Sequence, residues 1–284
     1  MTGLNRHKLN SLLKKWPSGT AMSLHELKKR GIYQQLASYY VRSGWLETIG
    51  SGVFKQAGDT VDWTGALALL QTQLNLSIHV AGKTALELSG VQHFFHLGGG
   101  GVIWLFGKQG EKLPKWFIGG DTGDKWNRKV KYIAFKLFDD ENLGLTNQPI
   151  GQHISTGSVI QKHPSEYKIV ISSIERAVLE MLYLIPKEQT LIEAKYLMEG
   201  LMTLRPNLIR ALLEQCRSIK VKRLFLFLAD FCNLPCLKHM DLSSINLGKG
   251  KRVIGSGGHY IPKYQISIPK NFVNTFKDEF ENNE

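Results

Sequence analysis

A chain of 284 residues with 43 % hydrophobic residues can form about two packed domains. Its 36 Lys and Arg residues outnumber the 24 Asp and Glu residues, and the formal charge of +12 favours an acidic partner, most often nucleic acid. Three cysteines exclude a framework of paired disulfides, and no apolar run approaches the roughly 20 residues that span a membrane, so the composition predicts a cytoplasmic protein without a membrane partner.

The N-terminal segment predicts two helices in succession. An apolar stripe with helical spacing marks the first helix, which Pro17-Ser18-Gly19 ends; the stripe consists of Leu9, Leu12, Leu13 and Trp16. Ser23 and Glu26 form a capping box, in which the hydroxyl and the carboxylate each accept from a backbone N–H at the start of the second helix. Gly31 ends that helix, because glycine adopts positive φ without strain.

The next predicted helix, from Tyr33 to Ser43, has two distinct faces. The apolar face consists of Tyr33, Leu36, Ala37, Tyr40 and Val41. The opposite, polar face consists of Gln35, Ser38, Tyr39 and Arg42, with Gln34 at its edge. These side chains suit a DNA groove, because Gln pairs with adenine, Arg pairs with guanine or phosphate, and hydroxyl groups donate to phosphates.

Two short strands follow the polar helix. The segments 45–48 and 53–55 flank a glycine-rich turn, which is typical of a β-hairpin. A hairpin in this position predicts the wing of a winged helix-turn-helix. The residues expected to hold the DNA backbone are Lys28, Lys29, Arg30, Ser51 and Lys55. The alternative is a small α/β module whose polar helix face is merely solvated.

The middle of the chain predicts a mixed or antiparallel sheet. It is preceded by an amphipathic helix over 63–74, which braces the wing, bridges to the next domain or pairs two subunits. Segments rich in β-branched and aromatic residues predict strands at 102–106, 115–118, 130–138 and 166–171.

The pattern becomes helical from residue 172 onward. Ser172 with Glu175, and Thr190 with Glu193, predict capping boxes at two helix starts. A third helix follows Pro206, and the uniformly apolar run Leu224–Phe231 predicts a buried fourth. A hairpin and a disordered acidic end at 281–284 complete the chain.

Together these elements predict an α+β protein with two parts. Residues 1–75 form the winged helix-turn-helix with its bracing helix. Residues 76–284 form a second domain that contains a sheet (76–171), a helical bundle (172–240) and a tail (241–284).

The predicted bundle carries a group of basic residues, namely Arg205, Arg210, Arg217, Lys220, Lys222 and Arg223. Arg210 and Arg217 are seven positions apart, which predicts that they share one helix face. The group is either a solvated face or a second surface for nucleic acid or a protein partner.

No pattern predicts catalysis, a metal or a cofactor. His93-x-x-His96 has no acidic or cysteine partner nearby, and Cys232-x-x-x-Cys236-x-x-His239 lacks a fourth ligand. Asp121 and Asp124 beside Lys125 hint at a nuclease cluster, but the surrounding glycines favour a loop. We therefore expect a protein that is not an enzyme.

Three segments carry a resemblance to a known family. Residues 39–47 (YYVRSGWLE) with Gly52-Val53-Phe54 resemble the reading helix and wing of the AbiE-type antitoxins of bacterial type IV toxin–antitoxin systems, in the branch with an N-terminal winged helix. Residues 79–90 (HVAGKTALELSG) resemble the segment after that domain, although Ala81 stands where a glycine is expected. Residues 173–180 (SIERAVLE) resemble the opening of the helical antitoxin region.

The resemblance implies two functions. The N-terminal domain would bind inverted repeats in its own promoter, as operator DNA, and act as an autorepressor. The C-terminal domain would neutralise a cognate nucleotidyltransferase-like toxin, for which a stable complex is not required. A separate hypothesis, motivated by the predicted face of Arg210 and Arg217, is that the basic surface engages the toxin's nucleic-acid target instead. Two rivals stay open, a stand-alone winged-helix transcriptional regulator with a ligand-sensing C-terminal domain and a DNA-targeted nuclease.

Overall fold

The computed structural model describes residues 3–91, 101–119, 125–150, 167–255 and 258–281. The possible metal or nuclease residues His93, His96, Asp121 and Asp124 lie outside these ranges, as do residues 282–284 of the acidic end. The described residues form an α+β protein with a small N-terminal core and a larger second core, which confirms the predicted fold class.

Residues 3–56 form a unit of three helices and a three-stranded sheet. Its elements are α1 (Gly3–Lys15), β1 (Met22–Ser23), α2 (Leu24–Lys29), α3 (Gln34–Arg42), β2 (Leu46–Gly50) and β3 (Val53–Gln56). Strands β2 and β3 form the predicted hairpin, and β1 pairs with β3 in an antiparallel manner. This is the element order of a winged helix-turn-helix. The sequence does not predict β1, because a strand of two residues carries no alternating pattern.

The start of α2 contains only half of the predicted capping box. Ser23 Oγ accepts a hydrogen bond from the Glu26 N–H at 3.2 Å. The Ser23 N–H donates to Gln73 Oε1 at 2.8 Å, and the Glu26 carboxylate pairs with Lys29 and Arg30 instead. The predicted hydrogen bond from the Ser23 N–H to the Glu26 carboxylate is therefore wrong, because the Ser23 N–H binds an acceptor fifty positions away.

The N-terminal unit has a core of its own. Its buried members are Leu9, Leu12, Trp16, Met22, Leu27, Ile32, Ala37, Tyr40, Leu46 and Phe54. Helical periodicity identifies these positions on α1 and α3 because both helices bury one face and expose the other. The polar face of α3 is consequently fixed toward the exterior.

The larger part of the chain is built around a five-stranded sheet. Its strands, in the order β6-β5-β4-β8-β7, are β4 (His79–Val80), β5 (Val102–Gly107), β6 (Lys129–Ala134), β7 (Leu145–Ile150) and β8 (Tyr167–Ser172). Strands β5 and β6 are parallel, as are β4 and β8, whereas β4–β5 and β7–β8 are antiparallel. The prediction of a mixed sheet is confirmed.

Two strand predictions need correction. Residues 115–118 form the helix α6 (Lys115–Ile118), because Pro114 begins a turn that Gly119, with a φ of 97°, ends. The strand predicted at 130–138 ends at Ala134, and Phe138 makes only an isolated bridge to Cys216.

Helices pack against this sheet and form the bundle beyond it. Their bounds are α4 (Trp63–Thr72), α5 (Gly82–Leu88), α7 (Ile174–Tyr183), α8 (Leu191–Glu199), α9 (Pro206–Gln215) and α10 (Ile219–Phe231). The predicted box of Ser172 and Glu175 is wrong by one residue. Ser173 caps α7 by accepting from the Arg176 N–H, and Glu175 pairs with Arg205 at 2.9 Å.

The tail adds a second small sheet. Strands β10 (Gly258–Ile261) and β11 (Ile266–Pro269) form the predicted hairpin, and β9 (Arg252–Val253) pairs with β11 in parallel. Helices α11 (Lys270–Thr275) and α12 (Lys277–Glu281) follow.

Helix α4 joins the two units. Residues 63–70 of this helix are buried, and Trp63 together with residues 66–70 belongs to the larger core. A Cβ atom at Gly65 would lie 1.8 Å from the Gly19 carbonyl oxygen, so the helix touches the N-terminal backbone directly. The Gln73 amide, just after α4, donates to the Ala21 carbonyl at 3.1 Å and ties the helix to β1. Of the roles predicted for this helix, these contacts support a bridge between the N-terminal unit and the larger unit.

A buried ionic network lies where α7 meets the sheet. Glu180 is fully buried, and its Oε1 lies 2.8 Å from both His79 Nε2 and Arg176 Nε. Ser172 Oγ donates to Glu180 Oε2 at 2.7 Å. Burial alone would raise the pKa of Glu180, but His79, Arg176 and Ser172 lower it well below its ordinary value.

Two members of the predicted basic surface are buried in α10. Lys222 is 4 % exposed and Arg223 is 1 % exposed. The Arg223 guanidinium donates to the carbonyls of Leu247, Gly248, Gly250 and Gln265, at 2.6 to 3.2 Å. The expectation that both residues face a partner is wrong, because the tail covers Arg223 and Lys222 donates to the Glu214 carbonyl of α9.

Replacing Arg223 by methionine is expected to lower the free energy of unfolding by about 3 kcal/mol, because a buried guanidinium and its charge-assisted hydrogen bonds to four carbonyl groups are lost. The matched control is Arg252→Met, since Arg252 is exposed and its side chain donates to the neighbouring carbonyls of Lys249 and Lys251; a surface change of this kind alters stability by about 0.5 kcal/mol or less. Denaturant unfolding measures both variants. Equal effects would contradict the role given to Arg223.

Candidate nucleic-acid interface

The outward face of α3 presents every side chain that the sequence predicts to read DNA. Its five residues are all exposed: Gln34, Gln35, Ser38, Tyr39 and Arg42. On the opposite side, Ala37 and Tyr40 are fully buried in the N-terminal core. The face is therefore polar, continuous and held by a rigid helix.

Two aromatic side chains extend this face beyond the predicted residues. Tyr33 is 65 % exposed and Trp45 is 48 % exposed. The assignment of Tyr33 to the buried face is wrong, because it is the N-cap of α3 with extended backbone (ψ 170°) and does not follow the helical phase. Trp45 precedes β2, so the alternation of buried and exposed residues along that strand does not predict which side Trp45 faces.

The basic run at the end of α2 lies on the surface. Lys28, Lys29 and Arg30 are exposed, and the last two pair with Glu26 at 3.4 and 3.3 Å. Exposed pairs of this kind contribute only about 0–1 kcal/mol. A phosphate can therefore replace Glu26 as their partner at little cost.

The wing carries two of the residues predicted to hold the DNA backbone, one exposed and one bound within the protein. Ser51 is exposed at the hairpin turn. Lys55 Nζ lies 2.8 Å from Glu47 Oε2 and donates to the Asp59 carbonyl at 2.7 Å. The hydrogen bond from Lys55 lowers the pKa of Glu47, which keeps the pair ionised. Lys55 is thus oriented along the wing, toward Glu47 and Asp59.

The base of the wing is held by three residues of the larger unit, Trp116, Lys125 and Trp126. A Cβ atom at Gly50 would lie 2.5 Å from Trp116 Cγ, so the indole packs directly on the strand. Lys125 donates to the carbonyls of Ile49 and Trp116, and its ammonium lies 5.1 and 5.0 Å from the rings of Trp116 and Trp126. These contacts fix the wing relative to the larger unit.

Gly50→Ala is expected to lower the free energy of unfolding by about 1–3 kcal/mol, because the added methyl group overlaps the Trp116 ring. Thr48→Ala, on the same strand but exposed, serves as control and should change stability by about 0.5 kcal/mol or less. Thermal or denaturant unfolding measures both. Indistinguishable stabilities would remove Trp116 as the support of the wing.

The basic residues of the bundle that remain outside are each matched to an acid. Arg205 binds Glu175 through two nitrogens at 2.9 Å, Arg217 lies 2.7 Å from Asp139, and Arg210 lies 3.8 Å from Glu214. Helix α9 ends at Gln215, so Arg210 and Arg217 do not share a helix face as predicted.

Lys220 is directed inward. It donates to the carbonyls of Tyr183 and Ile185, and burial lowers its pKa to about 8. Of the six basic residues predicted to form this surface, Arg205, Arg210 and Arg217 therefore remain at the exterior.

Among the described residues, no helix combines the length and the apolar character that crossing a membrane requires.

Comparisons with known proteins match almost the whole chain. A family model described as "Transcriptional regulator, AbiEi antitoxin N-terminal domain" matches residues 5–97, and one described as "Transcriptional regulator, AbiEi antitoxin, Type IV TA system" matches residues 101–269. No curated protein matches the chain.

The structure also resembles a solved one. The crystal structure of the RV2827C protein from Mycobacterium tuberculosis aligns over 94 % of this chain and 92 % of its own, with a TM-score of 0.56 and 12 % sequence identity. At that identity, the likeness concerns the fold alone.

Proposed function

Because the chain belongs to the AbiEi family of antitoxins and transcriptional regulators of type IV toxin–antitoxin systems, we propose that it has two separable activities. It binds inverted repeats in its own promoter and represses transcription. It also neutralises a nucleotidyltransferase-like toxin encoded beside it, in the cytoplasm, for which a stable complex is not required. No catalysis by this chain is required for either activity.

The exposed polar face of α3 carries the proposal for DNA binding. An α-helix with its side chains is about 10–12 Å across, which fits the roughly 12 Å width of the major groove. Gln34, Gln35 and Arg42 supply groups that pair with base edges, and Ser38 and Tyr39 supply hydroxyl donors. The basic end of α2 and Ser51 of the wing flank the helix and would hold the phosphates, with Lys55 secondary to them.

A binding titration tests this activity. The full chain is titrated against a labelled fragment of its own promoter and against a shuffled fragment of equal length and composition. We expect a preference of about 10³-fold or more for the promoter, and an affinity that falls steeply with salt concentration. Equal affinity for the two fragments would contradict sequence-specific operator binding.

The neutralising activity is assigned to the larger unit. The residues proposed to engage nucleic acid that the toxin acts on are the exposed Arg205 and Arg217 and the half-buried Arg210. Their carboxylate partners lie at the surface for Arg210 and Arg217, so a polyanion can compete with them.

Arg210→Glu combined with Arg217→Glu is expected to abolish rescue of growth from the neighbouring toxin, because reversing two charges repels a polyanion. Lys249→Glu with Lys251→Glu makes the same charge change on the exposed tail and should leave rescue intact. Colony counts after toxin induction compare the two variants at matched protein levels. Full rescue by the arginine variant would exclude these residues from the antitoxin surface.

One observation favours the rival of a ligand-sensing regulator. The larger unit contains a cleft of about 550 Å³, within the range of small-molecule sites.

A further inference from the structure

The cleft lies at the carboxyl ends of the parallel strands β5 and β6. Its walls are the residues that follow these strands, the segment before β4, and the first turn of α7. Clefts outside the carboxyl ends of parallel strands are frequent ligand sites in α/β sheets. Its volume of about 550 Å³ accommodates a molecule larger than a simple ion.

Positive charge dominates the lining. Four cations line the cleft, Lys108, Lys136, Arg176 and Arg217, against the single carboxylate of Glu141. Lys108 and Lys136 approach the two oxygens of Glu141 at 3.3 and 3.5 Å. One carboxylate thus holds two ammonium groups together, in an arrangement that a phosphate group can replace.

The floor of the cleft is rigid. Arg176 is 5 % exposed and donates to the carbonyls of Glu141 and Leu143, at 2.9 and 2.7 Å. Its guanidinium lies 4.8 Å from the centre of the Phe138 ring. Since Arg176 is also bound to Glu180, its charge is fixed in position before any ligand arrives.

An aromatic ring stands among these charges. Phe135 lines the cleft, is 38 % exposed and stacks on Tyr183 with the ring centres 4.7 Å apart and 11° between the planes. Tyr183 covers one face of Phe135, and the exposed remainder of the ring offers an apolar surface to a ligand ring. Gln109 and Asn142 add amide groups to the same lining.

We propose that this cleft binds a nucleotide, with its phosphates between Lys108, Lys136 and Arg217 and its base against Phe135. A free phosphate uses the cations alone, and an uncharged aromatic molecule uses the ring alone. A nucleotide uses both, and its size matches the volume. The proposal is independent of operator binding. It shares Arg217 with the proposed antitoxin surface, but Lys108, Lys136 and Phe135 lie outside that surface, so their variants test nucleotide binding separately from toxin neutralisation.

Isothermal titration of the full chain tests the proposal with four probes: ATP, GTP, adenosine and inorganic triphosphate. At least one nucleotide should bind at least tenfold more tightly than both adenosine and triphosphate. Lys108→Ala with Lys136→Ala should weaken that nucleotide at least tenfold, because two phosphate contacts are lost. Lys112→Ala, an exposed lysine of the same segment outside the cleft, should bind like the unaltered chain.

Two further variants separate binding from folding. Glu141→Gln should tighten nucleotide binding severalfold, because it removes the carboxylate that competes for both lysines. Phe135→Leu should weaken the nucleotide and leave triphosphate unchanged. A folding defect cannot produce gains and losses in this pattern.

The proposal is overturned if neither nucleotide binds at millimolar concentration, or if the double lysine variant binds as tightly as the unaltered chain. It is also overturned if triphosphate binds as tightly as the nucleotide, since the base would then have no site.

Discussion

Glu180→Gln is expected to lower the free energy of unfolding by about 3–5 kcal/mol, because it leaves the buried Arg176 without its carboxylate. Glu180 is fully buried and accepts from Ser172 and Arg176, beside His79. Glutamine has nearly the same shape, so the loss reports charge and hydrogen bonding and excludes a cavity. Denaturant unfolding at neutral pH measures it.

The pH dependence of the free energy of unfolding provides a second, independent test of Glu180. The pKa of Glu180 is lower in the folded chain than its ordinary value of 4.5, so its stabilising contribution is fully present above that value and is lost as the pH falls below it. The glutamine variant should lack this part of the acid sensitivity.

The control for this prediction is Glu193→Gln. Glu193 pairs with Lys83 at 2.7 Å, but its side chain is 46 % exposed, so its removal should lower stability by about 1 kcal/mol or less. Similar losses in the two variants would show that burial does not strengthen the Glu180 network.

Gln35→Ala combined with Arg42→Ala is expected to weaken operator binding by about 2–6 kcal/mol, roughly 30-fold or more, because each contact to a base contributes about 1–3 kcal/mol. Both side chains are exposed on α3, and alanine favours helix, so the fold should be retained. Binding to shuffled DNA should change less, because phosphate contacts elsewhere remain.

The matched control removes one amide and one cation from another helix. Asn10→Ala with Lys15→Ala changes exposed residues of α1 and should leave promoter affinity within about threefold of the unaltered chain. Anisotropy titrations at one salt concentration compare the two variants. Unchanged promoter affinity in the α3 variant would remove this helix from the reading face.

The N-terminal unit could be predicted from sequence because its signals are local. The periodicity of α3, the glycine-rich turn between β2 and β3, and the Ser23 cap each depend on residues a few positions apart. Two features of this unit depend on distant partners that local signals do not reveal. Gln73 takes the Ser23 N–H, and Trp116 supports the wing from the other unit.

The larger unit was less predictable because its charges are satisfied over long distances in sequence. Glu180 meets His79 across 101 positions, and Arg223 reaches carbonyls 24 to 42 positions away. A count of basic residues does not distinguish these inward cations from exposed ones. One local signal was available, since the apolar run of α10 surrounds Lys222 and Arg223 and favours their burial.

The cleft could not be predicted from sequence for the same reason, because residues far apart in the chain form it. Its lining comes from segments after β5 and β6, before β4 and at the start of α7, which the topology of the sheet brings together. No single segment carries a phosphate-binding motif, so sequence alone gave no site.

The most direct test of the two-activity proposal is a growth assay. The neighbouring gene is induced alone, with the full chain, and with the Gln35→Ala/Arg42→Ala variant of the full chain. We predict that the neighbour stops growth and that both forms of the chain restore it, because neutralisation depends on the larger unit. A harmless neighbour, or a full chain that fails to restore growth, would contradict the antitoxin function.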